Sequence, residues 1–252
     1  MSDSDLDLAA DLVRAAGDLA AAMRRGGVDA IRKTSVSDIV TAADHAAEEL
    51  IEGRLLAERP HDGVVGEEGA NRPGRRTWFV DPVDGTYNYA SGLPTWCAAI
   101  ALTEGDALLL GAVYEPSSGE LFVGGRNAPT SRNGVAVPAL SERGLSEVSV
   151  ATYLHPSSSL VDPDVREPML DVLRPAASVR MLGSGSVELA AVAAGRIGVY
   201  VQTDCLDWDW LPGRALVEGA GGCTEVLERR RHRWHVAGNR QAVDDVCRIL
   251  TS

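Results

Sequence analysis

The chain has 252 residues, 45% of them apolar and 24% charged, with a net charge of −12. That is enough apolar material to bury a sizeable core and excludes a mainly disordered chain, while no run of about eighteen uninterrupted apolar residues supports a membrane span. The acidic balance argues against a general nucleic-acid or anionic-membrane surface, so bound cations would have to draw in an anionic substrate.

In chain order, Met1 to Asp7 is acidic and lacks a basic leader followed by an apolar run, which points to a cytoplasmic protein. An Ala- and Leu-rich helix is expected from Leu6 to Arg24, and a second runs from after Thr41 toward Glu58. Strands follow at Gly63 to Val65, Trp78 to Val80, Cys97 to Leu102, Ala107 to Tyr114 and Glu120 to Gly124. The last three read as an antiparallel meander, with turn signals at Glu115 to Gly119 and at Asn133-Gly134. Further on come a strand at Val148 to Ala151, a helix at Ser186 to Ala194, a strand at Ile197 to Val201, and helices at Pro212 to Gly219 and Ala242 to Ile249. With no linker or repeat, this is one compact α/β body. A soft boundary near residue 145 divides a metal- and phosphate-binding lobe (1–145) from a smaller lobe (146–252) that completes the site. Cys97, Cys205, Cys223 and Cys247 show no C-x-x-C spacing and read as reduced, mostly buried thiols.

The chemistry concentrates where Trp78-Phe79-Val80 ends in Asp81-Pro82-Val83-Asp84-Gly85-Thr86-Tyr87-Asn88. Pro82 should stop the strand and leave Asp81 and Asp84 in a turn at its end. Gly85 permits close backbone approach, and the amides of Gly85 and Thr86 could donate to an anion if a helix begins there. The plain alternative is a loop with a helix cap. Two other acidic segments tip the balance: Val64-Val65-Gly66-Glu67-Glu68 and Leu206-Asp207-Trp208-Asp209-Trp210. Alone, the first could be a solvated face and the second a helix cap beside core tryptophans. Together Glu67, Asp81, Asp84 and Asp209, with the Val83 carbonyl, form an all-oxygen set suited to a hard cation, Mg2+ first and Mn2+ as the alternative. Without cations such carboxylates would repel one another.

These segments resemble those of the inositol monophosphatase family, Mg2+-dependent, lithium-sensitive phosphatases that also include histidinol-phosphatases, nucleotide 3′-phosphatases and some fructose-1,6-bisphosphatases. The resemblance extends to Lys33 through Asp44, to Gly183-Ser184-Gly185-Ser186 with Val192 to Arg196, and to Glu218 through Gly222. It implies a layered α-β-α-β-α sandwich and a homodimer. It further implies one Mg2+ on Glu67, Asp81 and the Val83 carbonyl, a second on Asp81, Asp84 and Asp209, and a weaker third sharing Glu67. Thr86 would orient and deprotonate the attacking water, Asp44 and Glu67 would hold its surroundings, and the Gly85 and Thr86 amides would grip phosphate. Lys33 matches a lysine near the metal-binding loop. As plainer readings, Asp44 belongs to the first turn of its helix and Lys33 is a surface charge.

The implied reaction is metal-assisted hydrolysis, with two ions roughly 3.5 to 4 Å apart stabilising the entering and leaving oxygens, so that neither a covalent intermediate nor a histidine acid is needed. His45, His61, His155, His232 and His235 then have ordinary structural roles. The substrate would be a small phosphate monoester, with inositol monophosphate first. The alternatives are histidinol phosphate, a sugar phosphate or a 3′-phosphonucleotide, and outside enzymes a metal-binding regulatory protein without turnover. Gln202 stands where the family usually has a glutamate that bonds a substrate hydroxyl, and Gly185 where an alanine commonly lines the ring pocket. Trp210 and Pro212 replace small residues, with Pro212 expected in a first helical turn. The basic run Arg229 to Arg233 reads as solvated surface, or as a contact for an extra phosphate or an acidic partner.

Overall fold

The structure, a computed structural model, describes residues 3–27, 30–32 and 39–252; the segment 33–38, with Lys33, lies outside the described residues. Helix α1 (Asp3–Arg25) leads to β1 (Ala30–Arg32) and β2 (Ile39–Thr41), an antiparallel pair, and β2 runs directly into α2 (Ala42–Glu58). There follow β3 (Gly63–Gly66), β4 (Asn71–Arg72), β5 (Arg76–Asp84), the short α3 (Thr86–Ser91), β6 (Cys97–Glu104), β7 (Ala107–Glu115), β8 (Glu120–Gly125), β9 (Ala128–Arg132) and β10 (Val135–Ala136). The second half holds β11 (Ser149–Ala151), α4 (Pro163–Leu173), β12 (Ser178–Arg180), α5 (Gly185–Ala193), β13 (Val199–Thr203), α6 (Asp207–Gly219), β14 (Cys223–Arg229), β15 (His232–Gly238) and α7 (Arg240–Thr251).

Among the described residues, one sheet has the order β10-β9-β8-β7-β6-β5-β3-β4 and a second the order β12-β11-β13-β15-β14. From β5 to β10 the first is an antiparallel meander, longer at both ends than the expected β6 to β8, while β3 lies parallel to β5. Strand β6 is buried at every position from Cys97 to Leu102, because helices cover both faces of its sheet. On one face, Leu8 and Leu12 of α1 and Ile51 and Leu55 of α2 meet Trp78, Val80, Ile100 and Leu102. On the other, Leu189 and Val192 of α5 and Leu216 and Val217 of α6 join Val113 and Phe122 to Tyr200 and Ala237 of the second sheet. Helices α4 and α7 close the far face, with Val165, Met169, Val243 and Val246 against Val150, Val199, Val201 and Val236. The layers therefore run α-β-α-β-α, and each fully buried aliphatic side chain contributes about 1.5–3 kcal/mol. In the middle layer α5 and α6 touch closely: a Cβ at Gly213 would lie 2.3 Å from that of Leu189. Among the described residues no helix is long and apolar enough to cross a membrane.

Several expectations change. Pro82 does not stop β5, which continues to Asp84 through an irregularity. Pro212 lies inside α6, beyond its first turn, because that helix already starts at Asp207. Helix α4, with its Asp162 cap and Pro163 at the first turn, was not anticipated. All four cysteines are unpaired, but only Cys97 is buried.

Candidate active site

The irregularity in β5 brings the two aspartates of the central motif together. Successive strand residues face opposite sides, so residues three apart should diverge. Here Asp81 pairs with Ala99 and Asp84 with Cys97, three residues against two, which is the count of a β-bulge. The bulge absorbs Pro82, whose nitrogen cannot join the ladder, and turns Asp81 and Asp84 to the same face as Cys97 and Ala99. That face meets the middle helical layer.

Helix N-termini supply the remaining parts. At the start of α2, Asp44 accepts hydrogen bonds at Oδ2 from the Thr41 amide (2.9 Å) and hydroxyl (2.5 Å), completing a capping box. Its Oδ1 lies 3.1 Å from the Thr86 hydroxyl, which is also 2.9 Å from the Val83 carbonyl. Asp44 therefore caps its own helix and also reaches the Thr86 hydroxyl. Gly85 precedes α3 with φ 93°, a conformation that favours glycine, and a Cβ there would lie 3.0 Å from the Gly183 carbonyl. At the start of α5 the Ser186 amide donates to Asp84 Oδ2 at 2.5 Å. Asp209 occupies the first turn of α6. Each N-terminus presents partial positive charge to the acidic centre.

Glu67 lies just beyond β3, its amide donating to the Val80 carbonyl at 3.1 Å. Its loop is held by Glu48, whose carboxylate accepts from the Glu68 amide at 2.9 Å and the Ala70 amide at 2.8 Å. Glu67, Asp84, Gly85, Thr86 and Asp209 line one cleft of about 320 Å3, together with Tyr153, Gly185, Tyr200, Gln202 and Cys205. Asp81 lies beneath it, 2% exposed, with Oδ1 accepting from the Val83 amide. Burial first, and then the charges of Glu67, Asp84 and Asp209, push the Asp81 carboxyl well above its ordinary value. Asp209 is raised by burial and then by Asp84 and Glu67. Burial also raises Asp84, opposed by the hydrogen bonds from α5.

This mutual repulsion and the all-oxygen donor set suit a hard divalent cation, which would offset the charge. Cys205 does not alter that chemistry, because burial first, with the Asp209 charge, pushes its thiol far up. The gathering is not a closed cage: among the described residues no group of three acidic, His or Cys side chains stands ready to hold an ion. Asp84 in particular turns Oδ2 to Ser186.

Of the site residues expected from the sequence, Glu67, Asp84, Gly85, Thr86, Gly185, Gln202 and Asp209 line this cleft, Asp44, Asp81 and Val83 adjoin it, and Lys33 lies outside the described residues. Gln202 Oε1 accepts from the Tyr153 amide at 2.9 Å, which leaves its amide nitrogen to offer a ligand. At Gly185 a Cβ would lie 3.2 Å from the Tyr200 hydroxyl, so that ring backs the pocket. Sequence reasoning missed Glu48, although its position four residues after Asp44 puts both on one face of α2. It also missed Glu188, which accepts from the Leu182 amide at 2.5 Å, and the pinning of Asn88 to the carbonyls of Thr95 and Leu182, each at 2.7 Å.

Comparison with known proteins gives a consistent result. A family model described as the inositol monophosphatase family matches residues 2–243. Inositol-1-monophosphatase of Rhizobium meliloti is 31% identical over 195 residues, covering 76% of this chain and 73% of that protein. A histidinol-phosphatase of Chlorobaculum parvum is 35% identical over 226 residues, covering 87% and 84%. The crystal structure of the extragenic suppressor protein suhB of Bartonella henselae superposes with a TM-score of 0.90 at 25% identity, covering 99% of each chain.

Proposed function

The chain belongs to the inositol monophosphatase family and is a phosphoric monoester hydrolase, and from that premise we propose that it hydrolyses a small polyol phosphate, an inositol monophosphate first, with Mg2+ as cofactor. The observation that carries this reading is the gathering of buried Asp81 and Asp84 with half-buried Glu67 and Asp209, close enough for their charges to act on one another, beside a Thr86 hydroxyl within reach of Asp44. Glu67, Asp81, Asp84, Asp209 and the Val83 carbonyl would hold two or three ions. Bound Mg2+ supplies positive charge to the phosphoryl oxygens and lowers the pKa of water.

The protein's own groups do the rest. With its hydroxyl directed at Asp44, Thr86 would pass its own proton to that carboxylate as its lone pair takes one from the attacking water, so the proton ends on Asp44. Burial raises the Asp44 carboxyl, which makes it a better proton acceptor. The amides at the start of α3, around Gly85 and Thr86, grip the phosphate. Gly185 and Tyr200 bound the space for the alcohol.

Gln202 favours a neutral polyol over a cationic alcohol, since its acceptor oxygen is already used by Tyr153 and it carries no charge. Histidinol phosphate, a sugar phosphate or a 3′-phosphonucleotide are the other candidates within the family. The same reading includes a homodimer, tested by light scattering, and a cytoplasmic location consistent with four unpaired cysteines.

The test is phosphate release from inositol monophosphates, histidinol phosphate, sugar phosphates and 3′-phosphonucleotides, with and without Mg2+. Mg2+-dependent turnover led by an inositol monophosphate is the expected result. A clear preference for histidinol phosphate would overturn the substrate assignment and leave the chemistry standing.

A further inference from the structure

Two residues that stand in place of small ones after Trp208-Asp209, Trp210 and Pro212, are both buried in α6. Their effects on the first turn of that helix are opposite.

Pro212 loosens the turn. It has no N–H, so the Trp208 carbonyl receives no bond from four residues on, and the proline ring crowds that carbonyl. The turn that carries Asp209 is thus tied to the rest of α6 by one hydrogen bond fewer. At its start the Asp209 and Trp210 amides both converge on the Leu206 carbonyl, at 3.1 and 3.0 Å. Asp84 is aimed by the Ser186 amide and Asp81 by the Val83 amide, whereas Asp209 is presented by this turn. Any rotation of the turn moves the carboxylate with it.

Trp210 restrains the same turn through its side chain. Tyr200 and Gln202, two apart on β13, share one face of the second sheet, and His235 of β15, paired with Gln202, lies on that face too. The Trp210 indole packs on both rings. It is near-parallel to Tyr200, at 25° with centroids 6.4 Å apart, and tilted 65° to His235 at 5.1 Å. All three rings are buried, and Tyr200 also lines the cleft. Among the described residues neither Trp210 Nε1 nor His235 Nδ1 has a hydrogen-bond partner. Purely apolar side chains would fill this space without stranding a polar atom, so stability alone does not account for the pair. What the stacked rings supply is shape, a wedge that fixes the rotation of the turn.

We propose that Trp210 is a positioning residue for Asp209: held against Tyr200 and His235, it fixes the turn that Pro212 loosens, so that Asp209 faces the cation it would share with Asp81 and Asp84. The inference rests on the Mg2+-dependent reading of the site and adds to it a residue outside the ligand set.

The experiment measures Mg2+ binding to the substrate-free protein by titration calorimetry, alongside kcat and KM for myo-inositol 1-phosphate at saturating Mg2+. Trp210→Leu should weaken Mg2+ binding about tenfold, while Trp210→Phe, which keeps a ring in the wedge, should stay within about threefold of wild type. With Mg2+ saturating, kcat and KM of Trp210→Leu should lie within about threefold of wild type, because the ligands themselves are intact. Pro212→Ala restores the missing N–H, so in the Trp210→Leu background it should recover at least about threefold in Mg2+ affinity. Should Trp210→Leu fail to fold, His235→Ala, at the far side of the wedge, should weaken binding about threefold. Wild-type Mg2+ affinity in Trp210→Leu despite a lower melting temperature, or a double variant no tighter than Trp210→Leu, would overturn the proposal. In the fallback, wild-type affinity in His235→Ala would do the same. Absence of Mg2+ binding to the wild type would remove the metal reading beneath it. Mg2+ binding without turnover of any monoester would remove the phosphatase reading alone, with the wedge still decided by the calorimetry.

Discussion

Asp84 stands at the junction of three parts of the site: the bulged strand, the amide end of α5, and the carboxylate group around Asp81. Asparagine keeps the shape and an acceptor for the Ser186 amide but removes the charge a cation needs. Asp84→Asn should therefore lower kcat by at least about a hundredfold while circular dichroism and melting temperature stay near wild type; full activity would remove Asp84 from the mechanism. Gln202 makes a separate prediction. A carboxylate there can still accept from the Tyr153 amide while adding negative charge to the cleft. Gln202→Glu should raise kcat/KM for histidinol phosphate relative to inositol phosphate by about three- to tenfold, with the Mg2+ dependence unchanged. An unaltered ranking would show that residue 202 does not meet the alcohol. That Asp81, Asp84, Glu67 and Asp209 come together was legible from residue type and from their places at strand and helix ends. Glu48 and Glu188 were not, because a lone glutamate in a helix looks the same whether it is solvated or buried against a loop.

At the scale of elements, α5 carries a carboxyl whose ionisation bears on stability. Glu188, 1% exposed in its first turn, accepts from Leu182 and helps set the loop that carries Gly183 to Gly185. Burial first, and also the Asp84 charge, move its carboxyl from an ordinary 4.5 up to about 8. The folded state then keeps a proton that the unfolded chain releases, so its contribution is fully present below 4.5 and is lost as pH rises toward 8. Glu188→Gln cannot ionise and can still accept from Leu182. In EDTA it should gain on the order of 2 kcal/mol relative to wild type at pH 8.5 and nothing near pH 4, by chemical denaturation. A gain independent of pH would assign the effect to packing. Strand β5 shows why an element can be predicted in kind but not in detail. Proline in a central strand argues for a stop, and a bulge allows the strand to continue.

At the scale of the molecule, repulsion among the carboxylates links the metal to stability. With their pKa values raised, Asp81 and Asp209 hold protons in the metal-free fold that the unfolded chain has released, so stability falls as pH rises above their ordinary 3.8. A cation binds only the deprotonated groups, and at a hundred times its Kd adds about 2.7 kcal/mol. Scanning calorimetry should therefore show a larger rise in Tm on adding Mg2+ at pH 8 than at pH 5, and an equal rise would mean that ions bind elsewhere. Because the middle-layer cluster draws Val113 and Phe122 from one lobe and Leu189, Tyr200 and Leu216 from the other, we expect one unfolding transition across the boundary near residue 145.

The sequence by itself determined which acidic residues the site gathers and the kind of body that carries it. Carboxylates at strand and helix ends, a glycine at a turn, and the alternation of apolar runs are local properties, readable from residue type and spacing. Tertiary structure decided what depends on distant partners. The bulge that turns Asp81 and Asp84 to one face needs β6 beside it, and the Glu67 loop needs Glu48 beneath it. Arg230 and Arg231 are docked to Asp164 and Asp162 because folding sets the turn between β14 and β15 beside the start of α4, a proximity that no spacing along the chain encodes.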